Sequence, residues 1–310
     1  MTAVQSTRAF VRLLLFPLVG AALMQPVSAG AAESIVTTLP SLASIAREIG
    51  GDRIEVIALC RGYEDPHYIQ PKPSYAKSLR KAVLLVYGGL ELEVGWLPPL
   101  LETARNPKIA PGAPGLLEAS TAVQRVLEIP SGELSRAQGD IHPFGNPHFM
   151  LDPHNALAVT DLIAQRLGEL DPAGREAYLD GAASYRQRLE AKIAECEARA
   201  EPLRGKSIVA YHKQWEYLAD WLGVDVVGYI EAKPGIPPAP RHVASIIELI
   251  RGHHVEIVVA ATFMDTAAAE KVAQSGGARL VVLPAEVGGI EGTDNYIDFL
   301  DAVVRRLVGQ

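Results

Sequence analysis

The feature that most limits what this chain can become is a rhythm. Short, continuous apolar runs alternate with helix-like segments in two blocks, separated by a long stretch with no strand character. Residues 34–38 and 53–59 read as strands with a helix over 42–49 between them, and a helix over 74–81 leads into a third strand over 82–87. Runs such as Val83-Leu84-Leu85-Val86 lack the polar alternation of a half-exposed strand and suit strands covered on both faces. The rhythm resumes over 206–211, 224–230, 256–260 and 280–283. Such alternation predicts a mainly parallel sheet flanked by helices. Between the blocks, 155–203 reads as helical with a break at Leu170-Asp171-Pro172. Its second part, 175–198, is rich in Ala, Glu, Arg and Leu and free of proline, which predicts one long helix. The expectation is an α/β chain of two lobes, each with a mainly parallel sheet flanked by helices, joined by a long rigid connecting helix. Its expected boundaries are 1–29 for a leader, 30–170 for the first lobe, 171–203 for the connector and 204–310 for the second lobe.

The leader rests on a short pattern. Arg8 and Arg12 precede an apolar run over 13–24, and Val27-Ser28-Ala29 supplies small residues for cleavage, the layout of a secretory signal peptide. A bilayer-spanning helix needs about 20 apolar residues, more than this run offers. No cysteine stands at the cleavage site to carry a lipid. The mature chain is therefore expected in the periplasm. Residues 1–29 hold two arginines and no acids, so without them the formal charge of −7 becomes −9. An acidic surface argues against nucleic acid and anionic membrane as partners. Cys60 and Cys196 are too few and too far apart for a disulfide framework, and no C-x-x-C pair is present, so two free thiols are expected.

Chemistry points to the histidines, of which there are eight. His67 lies in Asp65-Pro66-His67, shortly after a predicted strand. His148 lies in Asn146-Pro147-His148, within or just after the loop expected over 130–145. His212 follows directly on Ile208-Val209-Ala210-Tyr211. Ligands of open α/β sheets bind beyond the carboxyl ends of the strands. Two of these histidines come from strand ends in different halves and the third from a loop able to reach them, an arrangement that suits a metal held between lobes. Each histidine alone has a blander reading as a surface or hydrogen-bonded residue, and the spacing is not a compact H-x-x-x-H.

Four segments carry a resemblance. Asp65-Pro66-His67-Tyr68-Ile69-Gln70-Pro71-Lys72-Pro73-Ser74 resembles the D-P-H-x-x-x-P-x-P-S segment of the metal-binding proteins of ABC importers, the zinc and manganese family. Asn146-Pro147-His148-Phe149-Met150-Leu151-Asp152-Pro153 is similar to that family's N-P-H-x-W-L-D-P, with Met150 in place of tryptophan. Val209-Ala210-Tyr211-His212 with Trp215, Tyr217 and Leu218 resembles its third histidine motif, and the segment 231–238 resembles its E-P-K-P-G-I-P-P loop. The resemblance covers essentially the whole mature chain. It implies two α/β lobes joined by a long helix, with the metal in the cleft and His67, His148 and His212 as ligands. It also implies a carboxylate ligand from the second lobe, and here the chain departs: Leu283-Pro284-Ala285-Glu286-Val287-Gly288-Gly289 has no aspartate. Glu286 is the expected substitute, with Asp294 or water as alternatives, although Thr293-Asp294 also reads as the cap of the last helix.

The zinc branch of the family often carries a long loop rich in histidine and acids, whereas 131–146 is short and holds only His142, for which help in capturing metal is weighed and a solvated role preferred. The rest are assigned bland roles: His154 near a helix start, His242 in a helix's first turn, His253 and His254 before a strand. Three imidazoles and one carboxylate favour Zn²⁺ as cargo over Mn²⁺, with Mn²⁺ or Fe²⁺ as alternatives. Affinity is expected to fall as pH drops through the histidine range. Pro66 and Pro147, each before a ligand, restrict the backbone and help to pre-form the site. The implied function is a monomeric binding protein, not an enzyme, that delivers its metal to an ABC importer permease. Two alternatives stay open, a zinc hydrolase using an open three-histidine site and an adhesin on the same scaffold. No H-E-x-x-H motif supports the first, and the missing lipid anchor argues against the second.

Overall fold

The computed structural model of the protein describes residues 2, 32–130, 142–233 and 235–310. The expected signal peptide and most of the loop expected over 130–145 lie outside the described residues. The first sheet is built from β1 (Glu33–Thr37), β2 (Ile54–Ala58), β3 (Leu84–Tyr87) and β4 (Leu116–Glu118), in the order β2-β1-β3-β4. The second uses β5 (Ser207–Ala210), β6 (Asp225–Tyr229), β7 (Ile257–Ala261) and β8 (Arg279–Leu283), in the order β6-β5-β7-β8. All pairings are parallel, and the two sheets share one strand permutation. The two-lobed α/β architecture expected from the sequence is the one observed. Strand β4 went unpredicted, because three residues are too few to show a period.

The helices explain where the core sits. They are α1 (Pro40–Gly50), α2 (Pro73–Lys81), α3 (Leu97–Ala104), α4 (Pro153–Leu170), α5 (Arg175–Ala200), α6 (Glu216–Leu222), α7 (Pro240–Gly252), α8 (Thr266–Gly276) and α9 (Tyr296–Val308). Five of them, α1, α2, α3, α4 and α7, carry proline in the first turn, where its missing N–H costs no intrahelical bond. The cap of α9 is Asn295, whose side chain accepts from the Asp298 N–H, and not the Thr293-Asp294 pair.

Helix α5 is the long connector, 26 residues and so about 39 Å at 1.5 Å per residue. Tyr178, Ala182, Tyr185, Leu189, Ile193, Cys196 and Ala200 recur every three or four positions and bury one stripe. That stripe packs on α1 and α4 from the first lobe and on α9 from the end of the chain. The result is one continuous apolar core running from Ile35 and Leu84 through Phe149 and Tyr178 to Val259 and Leu307. Alternate strand residues turn away from it. Val36 and Leu85 enter a second cluster beneath α2 and α3, while Val209 and Val258 enter a third beneath α7 and α8. The connector is therefore part of a floor shared by both lobes. Cys60 and Cys196 are both buried and free, as expected.

Candidate metal centre

A parallel sheet sends every strand's carboxyl end to one edge, and here the two edges supply the same cleft. The chain beyond β2 carries His67, the chain beyond β5 carries His212, and the chain beyond β8 carries Glu286. At this crossing the lobes touch backbone to backbone. A Cβ on Gly62 would lie 2.2 Å from the Val287 carbonyl oxygen and 2.4 Å from the Gly289 nitrogen, so only glycine fits. Nothing in the sequence flagged that glycine. Side chains add to the junction: the Tyr296 N–H donates to Ser44 Oγ at 2.9 Å, and the Tyr296 hydroxyl donates to the Met150 carbonyl at 2.6 Å.

His67, His148 and His212 converge, each offering a ring nitrogen within 4.8 Å of the others'. Ring centroids lie 5.2 Å apart for His67 and His148, 5.8 Å for His67 and His212, and 6.0 Å for His148 and His212. How each ring is aimed follows from local chemistry. In Asp65-Pro66-His67 the Asp65 carboxylate accepts the His67 backbone N–H at 3.0 Å and its Nδ1–H at 2.7 Å. In Asn146-Pro147-His148 the amide oxygen of Asn146 does the same, at 3.0 Å and 2.9 Å. His212 has no such neighbour in sequence and uses Glu231 instead, at 2.8 Å. Glu231 is steadied by the Gly235 N–H at 3.1 Å. Carboxylate and amide oxygens only accept, so Nδ1 carries the proton in all three neutral rings and the Nε2 lone pair is left for a ligand.

A longer chain of bonds ties His148 to the second lobe. Asn146 Nδ2 donates to Glu216 Oε2 at 2.8 Å, and the Tyr229 hydroxyl donates to Glu216 Oε1 at 2.6 Å. Trp96 Nε1 donates to the Pro66 carbonyl at 2.9 Å and fixes the turn before His67. Glu216 and Trp96 were missed by sequence reasoning. Asp65, Asn146 and Glu231 stood inside quoted motifs, but with no role assigned.

Glu286 stands apart from the mutual cluster of ligand atoms, which among the described residues comprises the three histidines. The physical reason is at the start of α1: the Ser41 N–H donates to Glu286 Oε2 at 2.9 Å, and the Ser41 hydroxyl donates to Oε1 at 3.2 Å. Glu286 and His148 line a common cavity of about 20 Å³, together with Gln214. Asp294 is exposed and also outside the cluster. A much larger apolar groove of about 720 Å³ lies between α3 and Phe144, away from the three converging histidines. The solvated reading of His142 needs correction. Its Nε2 lies 3.2 Å from His67 Nε2 and its Nδ1 lies 3.1 Å from the Leu90 carbonyl, because the turn that carries it folds back over the site. His154 and His242 sit in the first turns of α4 and α7, as expected.

Electrostatics follow from crowding imidazoles in a partly closed cleft. Burial first, then the neighbouring His67, His212 and His142 rings, push His148 well below the usual histidine range. Burial and His67 hold His142 down to about 4. Burial pushes Glu286 up to about 7 against the opposing pull of the Ser41 hydrogen bonds. Burial would raise Asp65 too, yet its bonds to His67 and that ring's charge leave it below the usual carboxylate range. The centre as built is a set of imidazole donors backed one step out by the side-chain oxygens of Asp65, Asn146 and Glu231.

The family described as zinc-uptake complex component A, periplasmic (ZnuA) matches residues 35–310. The zinc-binding lipoprotein AdcA of Streptococcus pneumoniae serotype 4 is 24% identical over 284 residues, covering 88% of this chain and 55% of AdcA. The chain thus spans about half the length of that relative. The iron-binding protein YfeA of Yersinia pestis is 26% identical over 279 residues, covering 87% of this chain and 83% of YfeA. A crystal structure of ZnuA aligns with a TM-score of 0.72 at 24% identity, over 89% of this chain and 98% of that one, and speaks to the fold.

Proposed function

The chain belongs to the periplasmic zinc-uptake component A family, and from that premise we propose that it is an extracytoplasmic solute-binding protein. It captures a divalent transition metal between its lobes, with His67, His148 and His212 as ligands, and hands the ion to the permease of an ABC importer. One observation carries this reading. Three imidazoles drawn from both lobes each commit Nδ1–H to an oxygen partner, so that their Nε2 lone pairs face a common point. Donor chemistry supports zinc as the cargo, since imidazole nitrogen suits Zn²⁺ while Mn²⁺ prefers more oxygen. Relatives named for iron and for manganese keep those two as the competing cargoes to test. The core shared across α1, α5 and α9 favours a small closure over a wide hinge.

The hydrolase reading draws less support. It needs a general base beside a metal-bound water, and both oxygens of Glu286, which shares a small cavity with His148, accept from Ser41. Family membership points to an uptake component instead of an enzyme. The test is elemental analysis of untagged protein purified from the periplasm, followed by loading with zinc, manganese or iron(II) after chelation. About one zinc per chain, retained in competition with the other two, is expected. Manganese or iron retained in its place would overturn the cargo, and protein that takes up no metal would sink the reading.

A further inference from the structure

We propose that His142 is the fourth ligand of this metal, completing a four-imidazole shell in the position the carboxylate of Glu286 was expected to fill. The assignment rests on the metal-capture reading above and adds a residue and a consequence for cargo.

Geometry places the ring where a ligand belongs. His142 Nε2 lies 3.2 Å from His67 Nε2. Two nitrogens bound to one tetrahedral Zn²⁺ at 2.0–2.1 Å stand about 3.3 Å apart, so this pair already spans one edge of the coordination tetrahedron. The His142 ring centroid lies 5.2 Å from that of His67 and 6.4 Å from that of His148, at the edge of the cluster in which the nitrogens of His67, His148 and His212 all lie within 4.8 Å of one another. The turn that carries it is built for the purpose. Gly145 N–H donates to the His142 carbonyl at 3.1 Å, and Asn146 N–H donates to the Leu127 carbonyl at 2.9 Å, which locks the turn directly ahead of the His148 motif.

The proton positions make the case chemical. His142 Nδ1 faces the Leu90 carbonyl at 3.1 Å, and a carbonyl only accepts, so Nδ1 carries the hydrogen and Nε2 the lone pair. His67 is in the same state, because Asp65 takes its Nδ1–H. The two Nε2 atoms face one another across 3.2 Å, a hydrogen bond when one ring carries a proton there and a pair of donors to one cation when neither does. A divalent cation between them serves both, and binding it draws His142 in toward the cluster of His67, His148 and His212, which it borders. Each of the four then follows one rule, Nδ1–H to an outer oxygen and Nε2 to the centre, with Leu90, Asp65, Asn146 and Glu231 as the outer partners. Glu286 is left to hold Ser41 across the lobes. A shell of four neutral nitrogens and no carboxylate disfavours Mn²⁺ more strongly than the expected three-plus-one set.

The test uses the mature protein and its His142→Ala, His142→Gln and Glu286→Gln variants, with Zn²⁺ affinity read by competition against a chromogenic chelator. Cobalt(II) absorption and X-ray absorption of the zinc-loaded protein count the donors. Four imidazole nitrogens are expected in the wild type. Both His142 variants should lose at least about tenfold in zinc affinity and shift the cobalt bands, with metal-free thermal unfolding nearly unchanged. Glu286→Gln should leave the cobalt spectrum as it is. Wild-type affinity and spectrum in both His142 variants overturn the assignment, as does a spectrum that moves with Glu286→Gln instead. A wild-type protein that binds no zinc overturns the metal-capture reading itself, and this assignment with it.

Discussion

Asn146-Pro147-His148 and Asp152-Pro153-His154 stand six residues apart and fold in the same way. In each, the first residue's side-chain oxygen accepts both the backbone N–H and the Nδ1–H of the histidine, at 3.0 Å and 2.9 Å in the first and at 2.9 Å for both in the second. Their fates differ. His148 is packed among three other imidazoles, whereas the side chain of His154 is 55% exposed at the start of α4. The same local device aims a ring into the histidine cluster in one place and caps a helix in the other. An aspartate or asparagine two residues before a histidine, with proline between, thus selects the tautomer and poses the ring. Ligation requires that other rings arrive at the same point.

The contrast breaks most visibly at the histidines themselves. His148→Ala should weaken zinc binding on the order of a hundredfold or more, one ligand's share of the ~10–16 kcal/mol typical of a four-ligand zinc site, while His154→Ala should leave it unchanged. Titration calorimetry on both variants decides it, and equal losses would refute the distinction. The posing residues come next. Asn146→Ala removes both the orientation of His148 and the bridge to Glu216, for an expected loss of about tenfold to a hundredfold in affinity. Asp152→Ala removes the cap of α4 and should cost about 1 kcal/mol of stability, seen in urea unfolding, with metal affinity intact.

The smallest effect is on pH. Unfolded imidazoles take up protons near 6.5. Folded His148 and His142 resist protonation, His142 down to about 4. Between those limits the unfolded state takes up these two protons while folded Glu286, raised to about 7, retains one, so on balance the metal-free protein should lose stability as pH falls from about 6.5 toward 4. Thermal scans from pH 7 to 4 should show the midpoint dropping by about 2–4 °C for each kcal/mol lost, and His142→Ala should flatten the slope.

Legibility along the chain followed the range of the interactions involved. The strands announced themselves because continuous apolar runs have few other uses in a chain of this size, and α5 did so through a proline-free stripe. The three-histidine set was reached through the resemblance of the motifs that hold it, while the bonds of Asp65 and Asn146 to those rings went unread. Glu286 was chosen because it was the nearest carboxylate in sequence, yet the Ser41 groups that engage it lie 245 positions away. His142 was set aside because its loop carries the marks of solvent exposure, and a partner 75 positions distant reversed that. Gly62 looked like any loop glycine until the 287–289 backbone crossed it.

By itself, the sequence determined two parallel sheets, a long helix and the pose of each Asx-Pro-His histidine, because each depends on bonds and apolar spacing within a few residues. The tertiary structure alone decided which lone pairs meet. That outcome depends on two lobes being pressed over one core at a crossing where glycine backbones touch, and no neighbouring residue encodes such a distance.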